Sequence, residues 1–128
     1  TIIDCPPTLG VLAINGIYAA DKFIIPTTYS RYSLDGIADL FEIIKEVKET
    51  AEFDYKIVRN CYDSRTKQTN QFINGQLDPF KGHVATSIIR KSEAINQAQC
   101  NGESVFTFDP KGNGVKDYTA LTQEILNG

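Results

Sequence analysis

The sequence predicts an α/β fold, with a mainly parallel β-sheet flanked by helices, in a single domain over residues 1–128. Short apolar runs typical of buried strands alternate along the chain with apolar residues at helical spacing. This alternation indicates parallel βα units rather than a helical bundle or a β-sandwich. A length of 128 residues with 41% hydrophobic content is sufficient for one hydrophobic core.

The first part of the chain predicts two strand–helix pairs. Thr1 to Asp4 is a short apolar strand that ends in an acid, and apolar residues then recur at helical spacing from Leu9 to Ala20. Phe23 to Ile25 predicts a second strand, which we expect Pro26 to stop. Ser33 is expected to precede a helix with a charged, solvated face. The apolar stripe of that helix consists of Leu34, Ile37, Phe41, Ile44 and Val47.

The middle of the chain predicts another strand, helix and strand. Tyr55 to Tyr62 is expected to be the third strand, and it leads into a polar segment at residues 63–68. A helix with Phe72, Ile73 and Leu77 on its apolar side should end near the Asp78-Pro79 pair. Val84 to Ile89 predicts the fourth strand.

The last part predicts two helices around an extended segment. Ser92 is placed to cap a short helix that Gly102 stops, and Val105 to Phe108 is expected to be extended. A final helix follows the turn at residues 109–114 and should end at Asn127-Gly128. Its apolar face consists of Val115, Tyr118, Leu121, Thr122 and Ile125.

Composition limits the kinds of partner and site. Cys5, Cys61 and Cys100 are odd in number and widely spaced, so we expect buried or idle thiols rather than disulfides or a zinc site. A net charge of −3 means that any binding to nucleic acid needs a local basic patch. The chain shows no bilayer-length apolar run and no signal-peptide pattern, which predicts a cytoplasmic protein.

The first residues suggest a fragment. The chain contains no methionine and begins directly in an apolar strand, so we expect a piece of a longer protein. An engineered or processed terminus is the alternative.

Asp4 is the most specific candidate for chemistry. An aspartate at the carboxyl end of a parallel strand faces the crevice where α/β proteins bind ligands. A carboxylate oxygen is a suitable ligand for Mg²⁺. The ion usually keeps several water molecules, so the carboxylate can bind it directly or through one of these waters. Pro6 and Pro7 restrict the backbone just after the acid and favour a stiff turn. The alternative for Asp4 alone is a solvated or capping aspartate.

Five ordered segments resemble the ParA family of plasmid and chromosome partition ATPases, and together they cover essentially the whole chain. The first matching segment has an Asp-x-Pro-Pro run, followed by a helix that contains Leu and Asn. The last has an aromatic-Asp-Pro turn before the final helix. The matching segments are residues 2–10 with Asn15, 19–26, 32–36, 62–66 and 108–114.

The resemblance implies a three-layer sandwich like that of P-loop NTPases, here the carboxy-terminal part without the amino-terminal strands and the P-loop. It implies a nucleoid-associated ATPase that uses ATP and Mg²⁺, forms a homodimer with ATP, binds DNA non-specifically and is stimulated by a ParB-like partner. Asp4 would be the catalytic, magnesium-associated acid, and Asp4 to Pro7 the γ-phosphate switch. Because the sequence has no Gly-x-x-x-x-Gly-Lys-Ser/Thr loop, we expect the chain alone to be inactive.

The resemblance also implies two groups of binding residues. The nucleotide group is Asp4, Pro6, Asn60, Cys61 and Arg90. The DNA group is Arg65, Lys67, Arg90 and Lys91, with Lys81, Lys111 and Lys116 as outer candidates. For Asn60 the alternative is a turn residue that bonds its own backbone, and for the lysines it is ordinary solvated surface. The segment Arg90-Lys91-Ser92-Glu93-Ala94 departs from the family's usual Pro-Arg-Asn-x-Arg turn.

Two other functional classes compete with a partition ATPase. One is a non-catalytic α/β interaction domain that keeps the fold. The other is a MinD-like ATPase that attaches to membranes through a terminal amphipathic helix. Residues 122–128 lack the basic face that such attachment requires, which argues against the membrane alternative.

Overall fold

The structure is a computed structural model that describes the backbone of residues 1–128 and every side chain except that of Arg31. The strands are β1 (Lys22–Thr28), β2 (Asp54–Tyr62) and β3 (Val84–Arg90). The helices are α1 (Val11–Ala19), α2 (Arg31–Lys48), α3 (Lys67–Leu77), α4 (Glu93–Cys100), α5 (Val105–Phe108) and α6 (Asn113–Asn127), with a 3₁₀ helix at Asp78–His83.

The three strands form one parallel sheet in the order β1-β2-β3. Helix α2 connects β1 to β2, and α3 with the 3₁₀ helix connects β2 to β3, as parallel neighbours require. Ile25 lies opposite Ile57 in the β1–β2 register. The arrangement confirms the predicted α/β fold class.

The core lies on both faces of the sheet because successive residues of β2 point in opposite directions. Ile57 packs on one face with Ile25 of β1 and with residues of α2 and α3. Val58 packs on the other face with β3 and with Leu121 of α6. Helices therefore cover both faces, which gives three layers.

The pairing of β2 with β3 is irregular on both sides of Arg59. Arg59 Nη2 donates to the carbonyl oxygen of Ala85 at 2.9 Å. The Glu124 carboxylate of α6 accepts from the backbone N–H groups of Thr86 and Ser87, both at 2.8 Å, and from Lys56 Nζ at 3.2 Å. The side chains of Arg59 and Glu124 thus bond to backbone groups of β3 where its pairing with β2 is irregular.

The prediction of a strand at Thr1 to Asp4 was wrong. This segment is irregular and pairs with no strand among the described residues, and Ile2 is 95% exposed. A strand needs a neighbour to take up its backbone hydrogen bonds, so apolar residues alone do not form one.

Two boundaries around β1 were also wrong. β1 continues through Pro26 to Thr28, because an edge strand tolerates a residue without an N–H group. Helix α2 begins at Arg31, and Ser30, with an extended backbone, takes the N-cap position. Ser33 therefore lies in the first turn of the helix instead of preceding it.

The segment Val105 to Phe108 is a one-turn helix, contrary to the prediction of an extended segment. Ser104 caps it, since its Oγ accepts from the N–H of Phe106 at 3.3 Å. The three cysteines are all exposed and free, so they are not buried thiols.

Candidate functional site

An open cleft lies at the carboxyl ends of all three strands. Its volume is about 620 Å³, within the range usual for ligand pockets. The strand ends and the residues just after them contribute Thr28, Tyr29, Ser30, Asn60, Cys61, Asp63, Ile89, Arg90, Lys91 and Ser92, and helices α3, α4 and α6 contribute residues that include Thr69, Asn96 and Tyr118. This is the edge at which parallel α/β sheets bind ligands.

Near the end of β2, Asn60 and Cys61 lie where the pairing with β3 is irregular. Cys61 has a φ of 56°, in the left-handed region that non-glycine residues rarely adopt. The Asn60 Oδ1 accepts from the N–H of Cys61 at 2.9 Å. The side-chain oxygen of Asn60 thus bonds the backbone of the next residue, although Asn60 is in a strand and not in a turn, and its amide nitrogen is the polar atom left for a ligand.

Tyr29 lies at the wall of the cleft with its ring against Tyr62, at a centroid distance of 5.3 Å and an interplanar angle of 64°. Its hydroxyl and Arg59 Nε are both buried, and the two side chains lie close enough to interact with each other. Burial raises the pKa of Tyr29, and the nearby Arg59 guanidinium opposes that rise. Tyr29 therefore belongs to the packed wall of the cleft and lies beside a buried charge.

At the end of β3, Arg90 is paired with Asp117 of α6. Arg90 Nη2 lies 2.6 Å from Asp117 Oδ1, and Arg90 Nε lies 2.9 Å from Oδ2. The backbone N–H of Arg90 also donates to Oδ2 at 3.0 Å. Burial opposes ionisation, but the hydrogen bonds from Arg90 outweigh it and hold the pKa of Asp117 below its usual value. This pairing engages two nitrogen atoms of the Arg90 guanidinium.

The loop after β2 carries a second ion pair. Arg65 Nη2 lies 2.7 Å from Asp63 Oδ2, and Arg65 Nε lies 2.9 Å from Oδ1. These hydrogen bonds, with a smaller contribution from the Lys91 charge, hold the pKa of Asp63 well below its usual range. Asn70 Nδ2 donates to the carbonyl oxygen of Asp63 at 2.8 Å and fixes the loop to α3. Two of the predicted DNA-binding cations, Arg65 and Lys91, are therefore near one carboxylate.

Three hydroxyl groups cluster where β1 meets α2. Thr28 Oγ1 lies 2.6 Å from Ser33 Oγ, and Ser30 Oγ lies 3.0 Å from Ser33 Oγ. Thr28 and Ser30 line the cleft. This edge of the cleft is therefore polar but uncharged.

The segment that carries Asp4 runs close to α1 at Gly16. A Cβ atom added at Gly16 would lie 2.6 Å from Cys5 Sγ and 3.5 Å from Ile3 Cγ2. The absence of a side chain at Gly16 therefore permits this approach. Asp4 is exposed, and neither it nor Pro6 lines the cleft.

Comparison with known proteins gives consistent matches. A family model described as "AAA domain" matches residues 1–57. The "Chromosome partitioning protein ParA" of Myxococcus xanthus is 32% identical over 98% of this chain and 45% of its own length. The "Sporulation initiation inhibitor protein Soj" of Bacillus subtilis is 30% identical over 97% of this chain and 50% of its own. The "Chromosome-partitioning ATPase Soj" of Treponema pallidum is 30% identical over 98% of this chain and 51% of its own.

The chain belongs to the ParA family. It spans about half the length of the curated relatives that it matches. The family resemblance stated from the sequence is thereby confirmed.

The structure brings together some of the residues that the ParA resemblance singled out. Asn60, Cys61, Arg90 and Lys91 line the cleft. Arg65 and Lys67 do not line it, although Arg65 adjoins it through Asp63. Among the described residues, no three His, Cys, Asp or Glu side chains come together as a metal site. No helix in the described part of the chain is long and apolar enough to cross a bilayer.

Sequence reasoning missed Asp117 and the hydroxyl cluster. Asp117 lies between Gly114 and Leu121 at helical spacing, so a charged residue occupies the buried face of α6. A charge in an apolar stripe is a usable signal, because a buried carboxylate needs a partner.

Proposed function

We propose that the chain is the part of a DNA-partition ATPase that couples ATP binding and hydrolysis to dimerisation and non-specific DNA binding. The observation that carries this proposal is the similarity over 97–98% of the chain to proteins named for chromosome partitioning and to Soj. A ParB-like partner would stimulate hydrolysis and so release the DNA.

The cleft is the proposed site for the base and sugar of ATP. Its volume of about 620 Å³ and its position at the strand ends fit such a ligand. The Asn60 amide nitrogen can donate to an adenine edge. Arg90 would contact the nucleotide only with the part of its guanidinium that Asp117 leaves free.

Asp4 is the proposed magnesium-associated residue, acting directly or through water. A single exposed carboxylate fits Mg²⁺, which keeps several waters and is completed by substrate phosphates. Bound ATP and Mg²⁺ would supply the transferable phosphoryl group and the charge that neutralises it. Pro6 and Pro7 would limit the positions of the Asp4 backbone, and the close approach of Cys5 to Gly16 would hold the segment beside α1.

DNA binding would use Arg65, Lys67 and Lys91, with Arg90 in a lesser role because its guanidinium is paired with Asp117. Arg65 is exposed, and Asp63 fixes its orientation. Cations on a chain of net charge −3 can bind phosphate only as a local cluster, and the charges of Arg65 and Lys91 both act on Asp63.

The test measures ATP-dependent DNA binding. It uses a longer polypeptide, in which this chain is joined to the part of a ParA relative that lies outside the region of similarity. Fluorescence anisotropy with duplexes of unrelated sequence should show binding with ATP and Mg²⁺, weaker binding with ADP, and a steep loss of affinity with salt. Equal affinity with ATP and ADP would contradict the proposed coupling. If the polypeptide binds none of the duplexes, the result favours the alternative that the protein is a non-catalytic interaction domain.

A further inference from the structure

The ion pair between Asp63 and Arg65 occupies a part of the guanidinium that a phosphate group would otherwise bind. Arg65 Nε lies 2.9 Å from Asp63 Oδ1, and Arg65 Nη2 lies 2.7 Å from Oδ2. Two nearly parallel N–H···O bonds of this kind are also the geometry in which arginine binds phosphate. The Asp63 carboxylate therefore takes the position of a phosphate on this side of Arg65.

The two partners of this pair are held differently. The carbonyl oxygen of Asp63 accepts from the Thr66 N–H at 3.2 Å, from Thr66 Oγ1 at 3.0 Å and from Asn70 Nδ2 at 2.8 Å. Asn70 is buried, so these bonds fix the backbone of Asp63 to α3. The side chain of Arg65 is 82% exposed, compared with 21% for that of Asp63. The guanidinium can therefore turn towards a ligand while the carboxylate stays in place.

A second cation lies near the same carboxylate. Hydrogen bonds from Arg65 make the largest contribution to the lowered pKa of Asp63, and the charge of Lys91 adds to it. The Lys91 N–H donates to the carbonyl oxygen of Tyr62 at 2.8 Å, which joins the end of β2 to the residue after β3. Asp63 thus neutralises part of the positive charge of the surface that carries Arg65 and Lys91.

We propose that Asp63 limits the affinity of this surface for phosphate groups, because its carboxylate competes with phosphate for Arg65. The phosphate belongs to a DNA backbone or to a free polyphosphate. Binding exchanges an internal carboxylate for the ligand, so the ligand gains only the difference between the two interactions. Competition by an exposed ion pair lowers the binding constant by a factor of about two to five. The inference rests on the proposed role of Arg65 in DNA binding and adds the residue that opposes it.

The first measurement is DNA binding by the longer polypeptide with ATP and Mg²⁺, followed by fluorescence anisotropy. Asp63→Asn keeps an oxygen that can accept from the Arg65 N–H but removes the charge. We expect it to raise the affinity for DNA about two- to fivefold. Asp39→Asn is the control, because it makes the same change in net charge at an exposed position on α2. Screening by salt should keep the effect of the control below about 1.5-fold.

A double-mutant cycle tests whether Asp63 acts through Arg65. If it does, Asp63→Asn should raise the affinity less than about 1.5-fold in a protein that already carries Arg65→Ala. An equal increase with and without Arg65→Ala would overturn the proposal, because Asp63 would then act without the ion pair. Thermal unfolding checks that all variants remain folded.

The second measurement uses the 128-residue chain without ATP, so it is separate from the proposed ATPase function. The NMR signal of the Arg65 Nε–H group is followed during a titration with tripolyphosphate. The concentration at the midpoint should fall about two- to fivefold in Asp63→Asn and stay unchanged in Asp39→Asn.

The two measurements together identify the source of the phosphate. A gain of affinity in Asp63→Asn for DNA alone would assign the surface to DNA. A gain for tripolyphosphate, with no DNA binding by the longer polypeptide, would support the role of Asp63 and contradict the DNA-binding proposal. Unchanged or weaker binding of both ligands in Asp63→Asn would overturn the inference, as would an equal gain in Asp39→Asn.

Discussion

Arg90 at the end of β3 and Asp117 of α6 form a two-point ion pair, with the shorter N–O distance at 2.6 Å. Asp117 is only 9% exposed, and the backbone N–H of Arg90 donates to the same carboxylate. The pair therefore fixes the last helix to the strand end that lines the cleft.

Asp117→Ala should destabilise the protein. It removes the hydrogen bonds that Arg90 donates to a buried carboxylate, and we expect a loss of about 1–2 kcal/mol after allowance for solvent screening. Urea unfolding followed by circular dichroism measures the change. Asp39→Ala is the control, because Asp39 is exposed on α2, and its effect should be near zero. Equal effects in the two variants would contradict a structural role for the pair.

Glu124 should make stability depend on acid pH. Burial opposes ionisation, but bonds from the N–H groups of Ser87 and Thr86 prevail and lower the pKa of Glu124 from 4.5 to about 2. Because the pKa of Glu124 is lower in the folded than in the unfolded state, ionised Glu124 stabilises the fold at pH values above about 4.5. This stabilisation is lost as the pH falls from about 4.5 towards 2. The measurement is the free energy of unfolding of wild type and Glu124→Gln between pH 6 and 2.5. The difference in free energy of unfolding between the two proteins should become smaller as the pH falls. A difference that does not change with pH would refute the role given to Glu124.

Gly16→Ala should be less favourable than Gly75→Ala. Both glycines are helical, but a Cβ at Gly75 meets nothing within 4 Å, whereas one at Gly16 lies 2.6 Å from Cys5 Sγ. Gly75→Ala should stabilise by roughly 0.5–1 kcal/mol through helix propensity. Gly16→Ala should lose that gain, and Gly16→Ala with Cys5→Ala should restore it. Thermal unfolding of the four proteins tests this, and equal stabilisation by both single substitutions would show that Cys5 does not pack there.

The 128-residue chain should neither bind ATP tightly nor hydrolyse it. It has no phosphate-binding loop to supply backbone amides and a lysine to the phosphates. Calorimetric titration with ATP and Mg²⁺ and a phosphate-release assay measure this. In the longer polypeptide, Asp4→Ala should abolish hydrolysis. Turnover by the 128-residue chain that disappears in Asp4→Ala would show that the chain is an enzyme by itself.

Arg65→Ala should weaken ATP-dependent DNA binding of the longer polypeptide for all sequences alike. Loss of one phosphate contact should lower the slope of log affinity against log salt by about one. Lys45→Ala is the control with the same charge change, because Lys45 pairs with Glu42 on the solvated face of α2 at 2.8 Å. If Arg65→Ala retains the wild-type slope, Arg65 is not at the DNA surface.

The sequence predicted those parts of the fold that local patterns determine. The alternation of strands and helices gave the parallel sheet, and the apolar spacing in α3 and α6 placed Ile73, Leu77 and Leu121 in the core. The strand predicted at Thr1 to Asp4 failed because pairing depends on a distant neighbour. The continuation of β1 through Pro26 depends likewise on its place at an edge.

The candidate site was less predictable because its geometry arises from contacts between distant residues. Asn60 and Cys61 were identified from the resemblance, but the left-handed backbone of Cys61 has no glycine to mark it. Asp117 lies 27 positions from Arg90, so only the folded chain shows that they pair.

The two edges of the described sheet differ in their capacity to recruit another strand. At β3, the amides of Thr86 and Ser87 are occupied by Glu124, which hinders edge-to-edge aggregation there. No carboxylate among the described side chains bonds to the amides of β1 in the same way. The β3 edge is therefore the better protected of the two against pairing with the sheet of another molecule.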